Sequence, residues 1–532
     1  MVTRIFAGKA AAGVSRSVGP AAKRARKTTG KTTGKAAGKA HDNPGAALAG
    51  TSGLSGERMS KVDTAWLRMD CASNLMVIVG VWVFKPGIGR SGLVQRVSER
   101  MLQYPRFCQR VDQDATGATW VHDTDFDIDR HVVVETLARK PEGREQEALQ
   151  DRLAELAVTP LEMRHPLWQF HLVEHYDGGS AILVRIHHCI GDGIALLSVI
   201  QSLMDGGLPP PRRRAKSAPR AGLEGAQDWI ADSLIKPITG LAVKAIGSAG
   251  EGIAGAFDLL VEPQKGVDKG MAGGADMAKL AYQLMRDAAA LALMSDDSPT
   301  RLKGTPGRHK RVAWCAPIPL EEVRAVGKAL NCSINDVLLS CVAGAIGGYL
   351  RAQGDSVQGK EIRAMVPVNL RPLEDAYKLG NRFGLAPVVL PIGLENPIER
   401  VYEVRRRMGQ LKGSLQPLLA FGLLAVAGLV MKPVQDALLG LFSRKTTAVM
   451  TNVPGPREKL KLLGSTLEQS LFWVPQSGSV GLGVSILSYG GGVQFGVISD
   501  TNLCPDPQNI INGFEPEFAK LSLLTLMLPW SE

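Results

Sequence analysis

The chain has 532 residues, and 45% of them are apolar, which is enough to build the cores of two or three domains. This composition excludes a wholly disordered protein, and seven cysteines without a CxxC pair disfavour a disulfide scaffold or a zinc ribbon. The net charge of +11 is concentrated in residues 1–41, which hold ten Lys or Arg and no Asp or Glu, so residues 42–532 carry only +1.

Residues 1–58 are predicted to form a disordered basic arm. They are rich in Ala, Gly, Lys, Thr and Ser, and such a segment buries too little apolar surface to offset its ordering entropy. Gly30-Lys31-Thr32 is similar to the end of a phosphate-binding loop, but the earlier glycine of that motif is replaced by Ala25 and no strand precedes it. The simplest interpretation is a soluble polybasic arm, and the functional alternative is contact with an anionic surface, which would be a membrane, a granule or a nucleic acid.

The rest of the chain is predicted to form two domains of mixed α/β (α+β) class. The N-terminal domain is expected over residues 59–207 and the C-terminal domain over residues 306–532. Between them, residues 208–305 begin with Pro209-Pro210-Pro211 and continue with Ala, Gly and Leu at helical spacing, which indicates a linker with connecting helices. In the C-terminal domain, strands are expected at 362–368, 385–390, 448–451, 483–487 and 493–499.

Residues 413–431 form an uncharged run of 19 residues, which is close to the length that crosses a bilayer. Ser414, Gln416 and Pro417 weaken the start of this run, and small residues dilute the remainder. We therefore expect a buried or membrane-surface helix here rather than a membrane span.

The most informative stretch follows a predicted β-hairpin, whose strands Trp168–Tyr176 and Ala181–Ile186 flank Asp177-Gly178-Gly179. The second strand continues into the heptad His187-His188-Cys189-Ile190-Gly191-Asp192-Gly193, and an apolar helical pattern comes next. A strand end fixes a side chain while a turn leaves it reachable, which suits a catalytic base. In the alternative interpretation, Asp192 only caps the helix and the histidines only end the strand.

A metal site is not predicted. His171-Leu172-Val173-Glu174-His175 matches the HxxEH pattern of some zinc enzymes, but that chemistry needs a helix to bring both histidines together. In a strand, two residues four positions apart are separated by ~13 Å, which is too far for one metal ion.

The heptad matches the HHxxxDG motif of the bacterial wax ester synthase/diacylglycerol acyltransferase family, and the chain resembles that family from residue 59 to the C-terminus. Other coenzyme A-dependent acyltransferases and peptide-condensation domains share HHxxxDG, whereas the ordered set of further motifs is more specific. In chain order, these motifs are Met59–Trp66, Phe126–Val132, Pro166–Trp168, Asn335–Leu338, Pro367–Arg371, Asn381–Gly384 and Thr451–Pro456.

This resemblance implies two domains similar to chloramphenicol acetyltransferase, joined by a helical linker, with the active site between them. It makes His188 the general base, because a histidine of ordinary pKa can be neutral and accept the proton of an attacking hydroxyl. His187 is expected to support the pocket, and Asp192, followed by Gly193, to hold the turn.

The second domain is expected to contribute Asn335, whose amide would donate to an oxyanion or orient His188, with Asp336 as its structural companion. Pro166, Leu167 and Trp168 either form a turn and part of the core or line the acyl or acceptor channel.

The resulting prediction is an acyl-CoA-dependent O-acyltransferase that makes triacylglycerol, wax esters or both. No acyl-enzyme is expected, since the sequence has no G-x-S-x-G elbow and Cys189 suits a packing role. Acyl-CoA is a co-substrate, no bound cofactor is expected, and the acceptor is a long-chain alcohol or diacylglycerol. The expected location is the cytoplasm, peripherally on the inner membrane and on lipid inclusions, without an obligate protein partner.

Three other interpretations are weighed against this one. The first is a catalytically inactive protein that coats lipid granules, and the intact HHxxxDG argues against it. The second is acyl transfer to an amine or thiol acceptor. The third is nucleic-acid binding through the arm, which would leave the folded body without a purpose.

Overall fold

The secondary structure alternates strands and helices along the chain. A computed structural model describes residues 56–114, 117–210, 286–287, 290, 293–371, 375–411 and 414–527. The strands are β1 Glu57–Arg58, β2 Val77–Lys85, β3 Gln109–Asp114, β4 Gly117–His122, β5 Val132–Glu135, β6 Trp168–Tyr176, β7 Gly179–His187, β8 Lys310–Trp314, β9 Ile318–Pro319, β10 Ile362–Asn369, β11 Phe383–Leu390, β12 Ala448–Pro454, β13 Lys461–Leu462, β14 Ser465–Trp473, β15 Leu482–Tyr489 and β16 Gly492–Asp500. The helices are α1 Lys61–Arg68, α2 Arg90–Arg100, α3 Glu145–Ala157, α4 Gly193–Leu203, α5 Leu320–Ala329, α6 Ile334–Ala352, α7 Pro397–Leu411, α8 Gln416–Ala427, α9 Lys432–Arg444 and α10 Pro507–Leu526.

Two large sheets and one small sheet organise these strands. The N-terminal sheet has the order β13-β14-β2-β7-β6-β5, and the C-terminal sheet has the order β11-β10-β12-β15-β16-β8, with β9 also paired to β16. The small sheet has the order β1-β4-β3. The predicted mixed α/β class is therefore confirmed, and each predicted C-terminal strand is found within one or a few residues of its expected ends.

The predicted hairpin is confirmed as β6 and β7, which pair antiparallel from Trp168↔Ile186 to Tyr176↔Gly179. Asp177 and Gly178 form its turn, both with positive φ values, of 48° and 69°. This turn conformation is the one that Asp-Gly favours in two-residue hairpin loops, because Gly meets no steric penalty there.

The boundaries of the sheets do not follow the predicted domain boundary at residue 306. Strand β14 lies in the C-terminal half of the sequence, yet it pairs antiparallel with β2 from Thr466↔Lys85 to Trp473↔Val79. The side chains of Leu471 and Trp473 then pack in a core with residues of both sheets, including Val79 and Trp314. The C-terminal half therefore completes the sheet that carries the HHxxxDG segment.

The predicted disordered arm ends too late. Glu57 and Arg58 form β1, which pairs with Trp120 and Thr119 of β4, so the ordered part of the chain includes the last residues assigned to the arm. Residues 1–55 of the arm and residues 211–285 of the predicted linker lie outside the described residues.

The uncharged run at residues 413–431 contains α8, which packs closely on two other elements. A Cβ atom at Gly384 of β11 would lie 1.7 Å from the carbonyl oxygen of Pro417 in α8. A Cβ atom at Gly428, which follows α8, would lie 1.7 Å from the carbonyl oxygen of Lys61 in α1. Both positions therefore require glycine. Among the described residues no single helix is long and apolar enough to cross a membrane, and α5 and α6 meet that criterion only together, across a bend of 99°.

Candidate active site

The HHxxxDG segment lies at the end of β7, an interior strand of the N-terminal sheet. His187 is the last residue of β7 and is paired with Val77, and the N–H of His188 donates to the carbonyl oxygen of Met76 at 2.7 Å. Both histidines are buried, with exposed fractions of 1% and 3%. The short turn that follows leads directly into α4.

Residues from both halves of the sequence surround the His188 ring. The indole of Trp66 on α1 stacks on it with ring centroids 4.2 Å apart and planes 9° apart, and the ring of Phe383 lies 5.5 Å away. The Nδ1 atom of His188 lies 2.9 Å from the Oδ1 atom of Asn381. Within the described part of the chain Nε2 has no hydrogen-bond partner, and it is not one of the fully buried polar atoms, so it retains accessible surface.

The side chain of Asn381 is held by two further contacts. Its Nδ2 atom donates to the Oδ1 atom of Asp63 at 2.7 Å and to the carbonyl oxygen of His188 at 2.7 Å. With both amide protons used, Oδ1 faces His188 and accepts the Nδ1 proton. The lone pair of His188 is therefore on Nε2, the nitrogen that is free to act as a base.

The electrostatic environment keeps His188 neutral. Burial of the ring lowers its pKa to about 4, and the opposing effects of its own backbone, of Asp192 and of the Asn381 hydrogen bond do not restore the usual value. Desolvation disfavours the charged imidazolium, because the ring would exchange water for an apolar surrounding. At physiological pH His188 is consequently a neutral proton acceptor.

His187 has a different set of partners. Its Nδ1 atom accepts a hydrogen bond from the N–H of Cys189 at 3.2 Å, and its Nε2 atom lies 3.4 Å from the Oδ2 atom of Asp70. Because Nδ1 accepts, the ring proton is on Nε2 and faces the Asp70 carboxylate. His187 thus supports the loop before β2 and offers no free nitrogen lone pair.

Asp192 connects α4 to the C-terminal half. Its Oδ1 atom accepts from the N–H of Ala195 at 3.0 Å, which makes Asp192 the N-cap of α4. Its Oδ2 atom accepts from Arg371 Nη2 at 2.9 Å and from the N–H of Arg382 at 2.8 Å. Both side chains of the Asp192–Arg371 pair are at least 95% buried, and both carboxylate oxygens accept hydrogen bonds, so the carboxylate holds the turn.

Asn335 does not orient His188, which corrects one of its two predicted roles. It is exposed in the first turn of α6, and its Oδ1 atom accepts from the side chain of Asn452 at 3.1 Å. Asp336 forms a capping box with Ser333 at the start of α6. The amide that contacts His188 belongs to Asn381, and donation by Asn335 to an oxyanion stays a prediction.

The structure favours the core alternative for Pro166, Leu167 and Trp168. Leu167 and Trp168 have no exposed surface, and the Trp168 indole donates to the carbonyl oxygen of Phe107 at 2.9 Å while it stacks on His131. Gly193 is the first residue of α4, and a Cβ atom there would have no neighbour within 4 Å, so the space beside it is open.

Four functional residues were not singled out by the sequence analysis: Asp63, Trp66, Arg371 and Asn381. Each lies in a motif that carried the family resemblance, and this was the one signal that could have identified them. No cluster of three or more His, Cys, Asp or Glu side chains in the described part of the chain is arranged to hold a metal ion.

Comparison with known proteins provides the family. The wax ester synthase/diacylglycerol acyltransferase catalytic domain matches residues 59–338, and the WS/DGAT C-terminal domain matches residues 379–522. A relative from Mycobacterium tuberculosis (strain H37Rv), named "probable diacylglycerol O-acyltransferase", is 27% identical over 444 residues, which cover 82% of this chain and 89% of the relative.

Two further proteins are similar over most of their length. Wax ester synthase/diacylglycerol acyltransferase 2 of Arabidopsis thaliana is 25% identical, with 79% of this chain and 86% of the relative covered. The solved structure of the wax ester synthase/diacylglycerol acyltransferase from Marinobacter aquaeolei VT8 has the same fold, with a TM-score of 0.60, 19% identity, and coverage of 88% of this chain and 100% of the other. Since the two family domains match more than half of its residues, the chain belongs to the wax ester synthase/diacylglycerol acyltransferase family and is an acyltransferase.

Proposed function

We propose that the protein transfers the acyl group of acyl-CoA to the hydroxyl group of diacylglycerol or of a long-chain alcohol, with His188 as the general base. The observation that carries this proposal is the state of His188: its Nδ1 proton is donated to Asn381, its pKa is lowered to about 4 by burial, and its Nε2 atom has accessible surface. The related proteins named for diacylglycerol and wax ester synthesis support this choice of acceptors.

The reaction proceeds in two stages. The acceptor oxygen attacks the thioester carbon while its proton moves to His188 Nε2, which gives a tetrahedral oxyanion and an imidazolium. The oxyanion then collapses, the C–S bond breaks, and the coenzyme A thiolate receives the proton from Nε2, so the ester, the thiol and neutral His188 are released. A positioned base of this kind contributes roughly 10²–10⁴-fold to the rate.

The other predicted residues have supporting roles in this mechanism. Asp192 holds the turn through α4 and Arg371, and it does not exchange protons. The exposed amide of Asn335 is the candidate donor to the oxyanion, because its Nδ2 atom makes no hydrogen bond within the described residues. Gly193 begins α4 directly after Asp192, and the space at its Cα is open.

The test uses purified full-length protein with radiolabelled acyl-CoA and either diacylglycerol or hexadecanol. Labelled ester is expected from wild type and not from His188→Gln, with both proteins showing the same circular dichroism. Without an acceptor, no label should remain on denatured protein, since transfer is direct. Ester synthesis by His188→Gln at the wild-type rate would refute the role of the base, and stoichiometric label on Cys189 would indicate an acyl-enzyme.

Lipid substrates also require a way to reach the site, and we assign this to the basic arm at residues 1–58 and to the run at 413–431. Basic residues near an anionic leaflet each contribute up to ~1 kcal/mol, and salt screens this attraction. Leu429 and Met431, which follow α8, are 60% and 75% exposed. Protein lacking residues 1–55 should lose salt-sensitive co-sedimentation with anionic liposomes and keep its turnover in detergent. Equal binding by both forms would exclude the arm as an anchor.

A further inference from the structure

Behind His188, on the side away from Nε2, two polar side chains form a chain of contacts. Asn381 comes from the segment between β10 and β11, and it meets His188 across 193 positions of sequence. Asp63 on α1 is 1% exposed, and its Oδ1 atom accepts from both the N–H of Asn381, at 2.9 Å, and the Asn381 Nδ2 atom, at 2.7 Å. The amide is therefore anchored through its backbone and its side chain to one carboxylate oxygen.

The second oxygen of Asp63 faces a cation. Arg106 Nη1 lies 3.3 Å from Asp63 Oδ2 and also donates to the carbonyl oxygen of Ile190 at 3.3 Å, while its guanidinium lies over the Trp120 ring. Burial raises the pKa of Asp63, and Arg106 and the Asn381 donors oppose that rise. Since both oxygens face donors, the group is bound as a carboxylate with its charge balanced by Arg106.

The amide of Asn381 has one stable orientation in this environment. If it flipped, its oxygen would face the Asp63 carboxylate and the His188 carbonyl oxygen, and its NH₂ group would face the ring. Two acceptor pairs would then lie at hydrogen-bond distance without a proton, which is costly in a buried site. The orientation observed is thus imposed by Asp63, and it requires the ring proton to be on Nδ1.

We propose that Asp63 and Asn381 are positioning residues: Asp63 locks the Asn381 amide, and the amide holds His188 in the Nδ1–H tautomer with Nε2 directed to the substrates. The proposal rests on the proposed role of His188 as the base. The Asn381 amide stabilises the Nδ1–H tautomer of His188 without bringing a charge to the ring, so the ring stays neutral. The Asp63 carboxylate contacts the amide and not the ring.

The charged and titratable groups around the ring define the expected pH effect. They are His187, which precedes it in the chain, Asp192, which is paired with Arg371, and Asp63, which is paired with Arg106. Trp66 and Phe383, which pack against the ring, carry no charge. Exchange of the positions of the amide and the carboxylate would place a charge against Nδ1 and would leave the net charge and composition unchanged.

The first test is the ring itself in the wild-type protein. Nitrogen-15 NMR of histidine-labelled protein, with the His188 signals assigned by their loss in His188→Gln, should show a proton on Nδ1 and none on Nε2 at pH 7. A proton on Nε2 would overturn the proposal. This measurement needs no substrate, so it can fail while ester synthesis persists, whereas absence of ester synthesis by wild type would refute the proposed function instead.

The second test is the exchange variant Asp63→Asn/Asn381→Asp, with Asn512→Asp as the control because Asn512 is exposed on α10. A carboxylate touching the ring should move the acid limb of the kcat/KM profile to higher pH by about one unit or more, because an adjacent opposite charge favours the imidazolium. The control should leave the limb unchanged. If the exchange variant is active and the acid limb of its kcat/KM profile lies at the wild-type pH, the proposal is overturned. If this variant does not fold, the NMR measurement decides.

A single substitution separates positioning from binding. Asn381→Ala should lower kcat by about tenfold or more with KM changed less than about threefold, since it removes the orientation of the base and leaves the substrate-binding surfaces. A loss confined to KM would contradict a positioning role for Asn381.

Discussion

His187 and His188 are adjacent in sequence, but their surroundings differ in origin and in chemistry. The partners of His187 are Asp70 and Cys189, both from the N-terminal half, and one of them is a carboxylate. His188 is packed and hydrogen-bonded by residues of both halves, and the group on its Nδ1 atom is an amide. The difference shows that strand geometry separates two identical side chains, and that only His188 is in contact with Asn381 and Phe383 of the C-terminal half.

The largest expected effect is the loss of the base itself. His188→Ala should lower turnover by ~10²-fold or more, because it removes the proposed general base, whereas His187→Ala should lower it less. Rates with saturating acyl-CoA and acceptor measure this, with thermal unfolding of both variants as the folding control. Equal losses in the two variants would remove the functional distinction between the two histidines.

The next effect tests the connection between the two halves. Asp192→Asn leaves Arg371 buried without its counter-ion, and breaking such a pair costs about 3–5 kcal/mol. The melting temperature and the activity should therefore fall together. The matched control is Asp129→Asn, which removes an exposed ion pair with Arg90 and should cost at most about 1 kcal/mol. Unchanged stability with lost turnover would instead give Asp192 a direct chemical role.

Acid should destabilise the protein through His188. Its pKa is about 4 in the folded protein and 6.5 in the unfolded chain, so the unfolded chain binds the extra proton first as the pH falls. The stabilisation is complete above pH 6.5 and is lost as the pH falls to about 4, by roughly 3 kcal/mol in total. Melting temperatures of wild type and His188→Gln between pH 7 and pH 4.5 should therefore converge toward the acid end. Parallel curves would exclude a depressed pKa.

The smallest effect concerns the carboxylate beside His187. Asp70 accepts with both carboxylate oxygens, from His187 Nε2 and from the N–H of Met76, so Asp70→Asn keeps one of the two acceptors. The side chain is 35% exposed, so the lost charge is screened by solvent. We expect a stability change within about 1 kcal/mol and less than about a tenfold loss of turnover. A loss as large as that of His188→Ala would show that the His187–Asp70 pair takes part in the proton transfer.

The local elements were accessible from the sequence, because each depends on a few neighbouring residues. Two strand-like segments on either side of the Asp-Gly turn predicted the hairpin of β6 and β7. Asp192, which precedes an apolar helical pattern, predicted the N-cap of α4. The ordered motifs predicted the family, which is confirmed, and HHxxxDG predicted His188 as the base, which stays a prediction. What the sequence left open lies at longer range: the pairing of β14 with β2 joins the two halves of the sequence, and no local pattern indicates it.

The sequence by itself thus determined the secondary structure around the site and the family, and it singled out the histidine that we propose as the base. Only the tertiary structure decided which amide holds that base, since Asn335 and Asn381 are both in motifs and both belong to the C-terminal half. Asp63 and Asn381 are 318 positions apart, and Asn381 and His188 are 193 apart. Contacts over such separations arise from the packing of whole elements, such as the close approach of α8 to β11 and α1 that Gly384 and Gly428 permit. A local pattern carries no information about them, because burial, tautomer and charge balance are properties of the assembled site.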